Sequence, residues 1–161
     1  MKTFLNNSIV RGLRNNNPGN LIRTKIAWQG KVSFLNSKDE KFEQFETLEY
    51  GILAQLKDLI HDINKGKNTV RQLISEYAPS SENNTRSYIA AVCKTINVQP
   101  DTKLTNINEQ FLLQLARSIY NVELGQYSRL VTDDDIKGAI YKLGNLSTSL
   151  LTVKIDPNFF F

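Results

Sequence analysis

The sequence predicts an α+β domain in which helices dominate, with a small antiparallel β-lobe over residues 21–46 placed ahead of about five helices. Two observations carry this. Between Leu21 and Phe45 the apolar residues come in short clusters, broken by Gln29-Gly30 and by Asn36-Ser37-Lys38-Asp39, as in short strands joined by turns. After Thr47 the apolar residues recur every three or four positions, which lays one stripe along a helix. A chain of 161 residues can bury one core of its own, so residues 1–161 read as a single unit with a β-lobe (21–46), a helical lobe (47–144) and a tail (145–161).

Residues 1–20 are polar and rich in Asn, and they end in the turn signal Asn17-Pro18-Gly19-Asn20; they read as a structured loop without helix. Two or three short strands follow on Leu21/Ile22, Ile26, Trp28, Val32/Phe34 and Phe42/Phe45. The first long helix carries Leu48, Ile52, Leu56, Leu59/Ile60 and Ile63 and stops at Gly66. A second is opened by Asn68/Thr69, carries Val70, Leu73, Ile74 and Tyr77, and ends before Pro79. A third starts near Thr85 behind Asn83 or Asn84, with Tyr88, Ile89, Val92 and Ile96 on one side. Asn106 with Glu109 suggests a capping box for a fourth, whose stripe of Phe111, Leu112, Leu115, Ala116, Ile119 and Tyr120 runs to Gly125. Thr132 with Asp135 opens the last, which stops at Gly144. The closing Phe159-Phe160-Phe161 would be costly in water, so the tail is expected to dock on the domain or on a partner.

The composition excludes several classes of protein. Cys93 is the sole cysteine, so no internal disulfide can form. No stretch approaches the roughly 20 apolar residues of a membrane span, and Asn6 and Asn7 interrupt the N-terminus before a signal sequence could develop. A target outside the cytoplasm would therefore require delivery by a holin, a secretion apparatus or a virus particle, with the protein in the virion or the host cytoplasm beforehand. Residues 1–38 hold seven basic side chains and no acid in a chain whose total charge is +4. Such a segment is drawn to nucleic acid, anionic lipid or an anionic wall polymer, and the absence of an aromatic and basic reading motif disfavours nucleic acid.

Elimination narrows the chemistry to carboxylates. His61 is the one histidine and lies within a helix, where it reads as a surface or half-buried residue, so Cys93 has no base and no zinc or iron site is expected. Gly12, Gly19, Gly30 and Gly51 fit no phosphate-binding spacing, and no cofactor is expected. A Glu in the last turn of a helix faces the negative end of the macrodipole at a cost of roughly 0.3 to 1 kcal/mol, a field that favours the protonated form. Glu123 and Glu76 occupy such places, whereas Asp133, Asp134 and Asp135 stand at a helix start, where their charge is favourable. A carboxylic acid able to protonate a leaving oxygen is what glycosidic-bond cleavage requires. The alternative for Glu123 is an exposed helix-end carboxylate neutralised by Arg117 or Arg129, and Glu76 reads more readily still as a surface charge.

The run Arg11-Gly12-Leu13-Arg14-Asn15-Asn16-Asn17-Pro18-Gly19-Asn20, then Trp28-Gln29-Gly30, Phe42-Glu43-Gln44-Phe45 and Tyr50-Gly51-Ile52, resembles a family of small phage and prophage proteins that are virion-associated and lysozyme-like, degrading peptidoglycan. Ala78-Pro79, Asn83-Asn84-Thr85, Tyr88 and Glu123-Leu124-Gly125 resemble that family's later blocks. A weaker likeness links the chain to bacterial glucosaminidases and lytic transglycosylases, in which a helix ending in the catalytic Glu precedes the β-lobe. Here only ten residues precede Arg11 and none is acidic, so the likeness implies a lysozyme-like fold in circular permutation, with the acid-bearing helix moved behind the rest.

The same resemblance makes Glu123 the general acid and then the base in cleavage of the β-1,4 glycan of peptidoglycan, by a lysozyme or a lytic transglycosylase. Glu43 is the best second carboxylate of a set that includes Asp39, Glu40 and Glu46, because a hydrolase holds its pair about 5 to 9.5 Å apart. Trp28 and Tyr88 would stack on sugar rings, and Asn17, Asn20, Asn83, Asn84 and Gln126 would bond hydroxyl and N-acetyl groups. Trp28 reads equally as the anchor of the β-lobe and Tyr88 as a core residue. Peptidoglycan is the expected partner, with other virion proteins through the basic N-terminal segment or the Phe tail. The alternative function is a non-catalytic virion or wall-binding protein.

Overall fold

Five of the helices begin where a side-chain oxygen takes up an orphan backbone N–H. The computed structural model describes residues 1–78 and 84–144 and contains α1 (Arg11–Arg14), α2 (Leu48–Asn64), α3 (Val70–Tyr77), α4 (Thr85–Ile96), α5 (Glu109–Leu124), a 3₁₀ helix (Gly125–Leu130) and α6 (Asp133–Lys142). Thr47, Thr69 and Asn84 cap α2, α3 and α4 by accepting from the N–H groups of Tyr50, Gln72 and Ser87. Thr132 and Asp135 form the expected reciprocal capping box of α6. The α5 cap is Asn108 and not Asn106, so Glu109 is the first residue of the helix and no box with Asn106 forms. Two pieces were not expected: the single helical turn Arg11–Arg14 inside the Asn-rich loop, and the 3₁₀ helix after Gly125.

Helix α5 is the centre of the molecule. Leu112, Leu115, Ala116, Ile119 and Tyr120 are completely buried, and α5 packs on α4, α6 and the 3₁₀ helix, while α2 packs on α6 and α3 on α4. A second, smaller core joins Leu21, Trp28 and Phe45 to Ala54 of α2, with Ile26, Tyr50 and Tyr77 at its edge. Among the described residues no helix is long and apolar enough to cross a membrane. The Phe-rich tail lies outside the described residues.

The β-lobe expected over residues 21–46 does not form, and with it falls the α+β, permuted lysozyme-like fold read from it. Among the described residues there is no strand; that segment is a folded loop with two isolated antiparallel bridges, Ile22 with Phe42 and Lys31 with Phe45. The physical reason lies in the side chains, which occupy backbone groups that a ladder would need. Asn17 donates to the carbonyls of Leu21 and Glu43 and accepts from the Leu21 N–H, at 2.9 to 3.0 Å. Asn16 donates to the Phe45 carbonyl at 2.9 Å and accepts from the Phe4 N–H at 2.8 Å. Asp39 accepts from the N–H groups of Lys41 and Phe42 and from Asn15, while Arg11 grips it with two bonds of 2.7 and 2.9 Å. That guanidinium holds the Asp39 carboxyl well below the usual carboxylate range.

Gly51 is where the loop meets the helices. A Cβ there would lie 1.6 Å from the Asn16 carbonyl oxygen, so only glycine lets α2 press against this backbone.

Candidate functional site

The loop and the helical body enclose a cleft with two adjoining compartments. The larger, about 200 Å³, is lined on the loop side by Asn20, Ile26 and Trp28 and on the helix side by Asp58, Asp62, Glu76 and Tyr77. The smaller, about 100 Å³, adds Gly19, Lys41, Phe42 and Glu123; Asn20, Ile22 and Tyr77 border both.

The turn Asn17–Asn20 is locked in place from below. Tyr77 of α3 donates its hydroxyl proton to the Gly19 carbonyl, Gln55 of α2 donates to the Tyr77 oxygen at 3.3 Å, and Tyr120 of α5 donates to Gln55. A Cβ on Gly19 would come within 2.3 Å of the Tyr77 oxygen, so a glycine is needed for this approach. Beyond it Asn20 takes a left-handed backbone with φ 51° and points its amide across the cleft, donating to Glu123 Oε1 at 2.9 Å. Glu123 stands half-buried in the last turn of α5, 103 residues along the chain from Asn20. Arg117, one candidate for neutralising it, is instead bound to Ser128, to the Val131 carbonyl and to Asp133.

Two phenols lie close to this carboxylate. Burial, reinforced by the charge of Glu123, pushes the Tyr88 phenol well above its ordinary pKa, and Tyr77 is raised the same way, with Asp58 adding to the effect. On the helix side of the larger compartment Asp58 has its pKa pushed up to about 7, first by burial and then by the charges of Asp62 and Glu76. Burial also raises Asp62. Near neutral pH Asp58 is therefore partly protonated, and its carboxyl both donates and accepts hydrogen bonds.

Of the expected site residues, the structure brings Glu123, Asn20 and Trp28 to this cleft. Trp28 lines it while packing on Leu21, Phe45 and Ala54, so it also fills the anchoring role. Tyr88 is 2% exposed and belongs to the main core, within reach of the Glu123 charge. Asn17 is fully buried and spends its amide on the backbone, so it is a structural residue and not a sugar ligand. Glu43 does not line the cleft: it is 1% exposed, paired with Lys31 at 2.9 Å inside the loop, and its pKa is raised by burial. Gln126 is exposed on the 3₁₀ helix and does not line the cleft, Asn84 is occupied as the α4 cap, and Asn83 lies outside the described residues. Glu76 does reach the rim but is exposed and paired with Lys67 at 3.0 Å.

Sequence reasoning passed over Asp58, Asp62 and Tyr77. One signal was present: Asp58 and Asp62 are like charges four residues apart on one helix, an arrangement that costs roughly 0.2 to 0.5 kcal/mol. Among the described residues no group of three His, Cys, Asp or Glu side chains is placed to hold a metal ion.

No family model matches the chain. Over 135 residues, covering 81% of this chain and 80% of the relative, it is 30% identical to Protein P5 of Pseudoalteromonas phage PM2. The chain belongs to the Protein P5 family. That name states no activity. The cleft offers one half-buried carboxylate held by an amide, one carboxyl titrating near neutrality beside Asp62 and Glu76, the Lys41 ammonium, an indole, and a phenol whose proton is held by the Gly19 carbonyl. Such a set suits a neutral polyhydroxylated ligand and a reaction driven by proton transfer.

Proposed function

We propose that this member of the Protein P5 family cleaves the β-1,4 glycan backbone of peptidoglycan, with Glu123 as general acid and then base. What carries the reading is the Asn20 to Glu123 hydrogen bond of 2.9 Å at the cleft's edge. It fixes one carboxylate oxygen of a residue that lines the smaller compartment together with Phe42 and Lys41. A carboxyl so oriented passes its proton to the glycosidic oxygen as the bond breaks, then takes one back from the incoming hydroxyl, whether from water or from the sugar itself. Asp58 supplies a donor and acceptor for sugar hydroxyls on the helix side of the larger compartment, and Trp28 an aromatic edge on the loop side. Asp58, in this reading, takes the place for which Glu43 was expected, as the second carboxyl of the site. The relationship to a phage protein supports a role at the host wall, which a phage must breach.

The test is turbidity loss of a suspension of purified peptidoglycan, comparing wild type with Glu123→Gln, which keeps the shape and the acceptor for Asn20. Wild-type clearing that falls at least about a hundredfold in the variant is the expected outcome. Sedimentation of the wild type with the wall material without any clearing would contradict the proposal and favour a wall-binding virion component.

A further inference from the structure

The loop presents a feature that glycan cleavage does not use. Residues Ser33–Ser37 close a tight turn, with the Asn36 and Ser37 N–H groups both donating to the Ser33 carbonyl at 3.0 and 2.8 Å. At its tip Leu35 is 94% exposed and Phe34 42% exposed. An aliphatic side chain held almost wholly in water forgoes the roughly 2 kcal/mol that burial would return. The base of the turn is cationic: the Arg23 guanidinium lies 3.8 Å from the Phe34 ring centre and the Lys31 ammonium 4.2 Å from it. Lys38 follows the turn, and Lys41 lies over Phe42 at 5.2 Å.

Charge on this side is strongly of one sign. Of the basic side chains in residues 1–41, Lys2, Arg11 and Lys31 are paired with Asp135, Asp39 and Glu43, and Arg23, Lys38 and Lys41 stand near the tip against the exposed Glu40. We infer that the Phe34-Leu35 tip and its collar of Arg23, Lys38 and Lys41 form a docking surface for an anionic lipid bilayer. Nucleic acid or an anionic wall polymer would satisfy the cations alike, but neither offers Leu35 a place out of water. A bilayer does both, taking the tip into its headgroup boundary while its negative surface potential holds the collar. The short turn fixes both side chains before contact, so little conformational entropy is lost on docking.

The experiment is co-sedimentation of the full chain with phosphatidylethanolamine vesicles containing about 30% phosphatidylglycerol, against vesicles of phosphatidylcholine alone. Wild type should pellet with the anionic vesicles and stay in solution with the neutral ones. Leu35→Ser, a fully exposed position whose change leaves the fold intact, should lower partitioning about tenfold. Lys38→Gln should lower it about fivefold and make the loss at high salt shallower. Binding that Leu35→Ser leaves unchanged, with duplex DNA or wall polymer retained equally well, would overturn the inference in favour of plain charge attraction. Failure to pellet with the anionic vesicles would also overturn it. Neither result bears on peptidoglycan clearing, which is read separately.

Discussion

The two halves of this molecule solve the same folding problem with opposite materials. Residues 48–144 bury leucine, isoleucine and alanine around α5, whereas residues 1–47 are held by carboxamides and two carboxylates, Asp39 and Glu43, with Asn15, Asn16 and Asn17 all fully buried. An apolar core is tolerant, because a lost methylene leaves a cavity that neighbours partly fill. A polar core is not: each bond is directional, and a missing partner leaves a buried donor or acceptor unpaired. The catalytic reading needs both, since the helices deliver Glu123 and the stitched loop delivers Asn20.

The largest effect should come from wedging the halves apart. Gly51→Ala places a methyl group 1.6 Å from the Asn16 carbonyl, and the loss should exceed about 4 kcal/mol. Circular dichroism should show the near-ultraviolet signal around Trp28 collapsing while the far-ultraviolet helix signal largely persists. Loss of both together would mean that the two regions fold as one unit.

Next come two truncations that set the materials against each other. Leu56→Ala in the apolar core and Asn17→Ala in the loop each remove the side chain beyond Cβ from a fully buried site. Both should cost about 3 kcal/mol by denaturant unfolding, the first through a cavity and the second through the Leu21 N–H and Glu43 carbonyl left unpaired, the Leu21 carbonyl keeping the Glu43 N–H. An Asn17→Ala cost below about 1 kcal/mol would show that water replaces the amide freely and that the polar core is as tolerant as the apolar one.

Acid should separate the regions in opposite directions. Asp39 titrates below its ordinary value in the folded state, so its contribution is present above about pH 4 and is lost as the pH falls further. Asp58 is raised to about 7, so ionising it costs stability above that pH, and the cost disappears as the pH falls from about 8 to 4. Asp58→Asn should raise stability at pH 8 by about 2 to 4 kcal/mol and flatten the profile between pH 4 and 8. An unchanged profile would mean that Asp58 is solvated. The smallest effect should come from Tyr141→Ser, at an 85% exposed position, which should shift unfolding by less than about 0.5 kcal/mol.

The same contrast explains what could be read in advance. Helices declare themselves twice, by the spacing of their apolar residues and by caps such as Thr69, Asn84 and Thr132, and α2, α3 and α4 lie where those signals put them. The loop declares itself badly. Leu21, Trp28 and Phe45 look like members of strands because burial is all that a hydrophobic pattern records, while Asn16, Asn17 and Asp39, which determine where the backbone goes, are indistinguishable in sequence from turn residues. Glu123 was legible because a charge in the last turn of a helix is out of place there. Asp58 was not, since on the polar side of α2 it passes for a solvated residue until the loop covers it.

The most direct measurement is of the bond itself. Purified sacculi digested with the full chain should be resolved by liquid chromatography and mass spectrometry into muropeptides carrying new glycan ends, either reducing or 1,6-anhydro. The account expects such ends from the wild type and about a hundredfold fewer from a Glu123→Gln variant of equal melting temperature. Equal yields from the two, or sacculi left with no new glycan ends by the wild type, would contradict it.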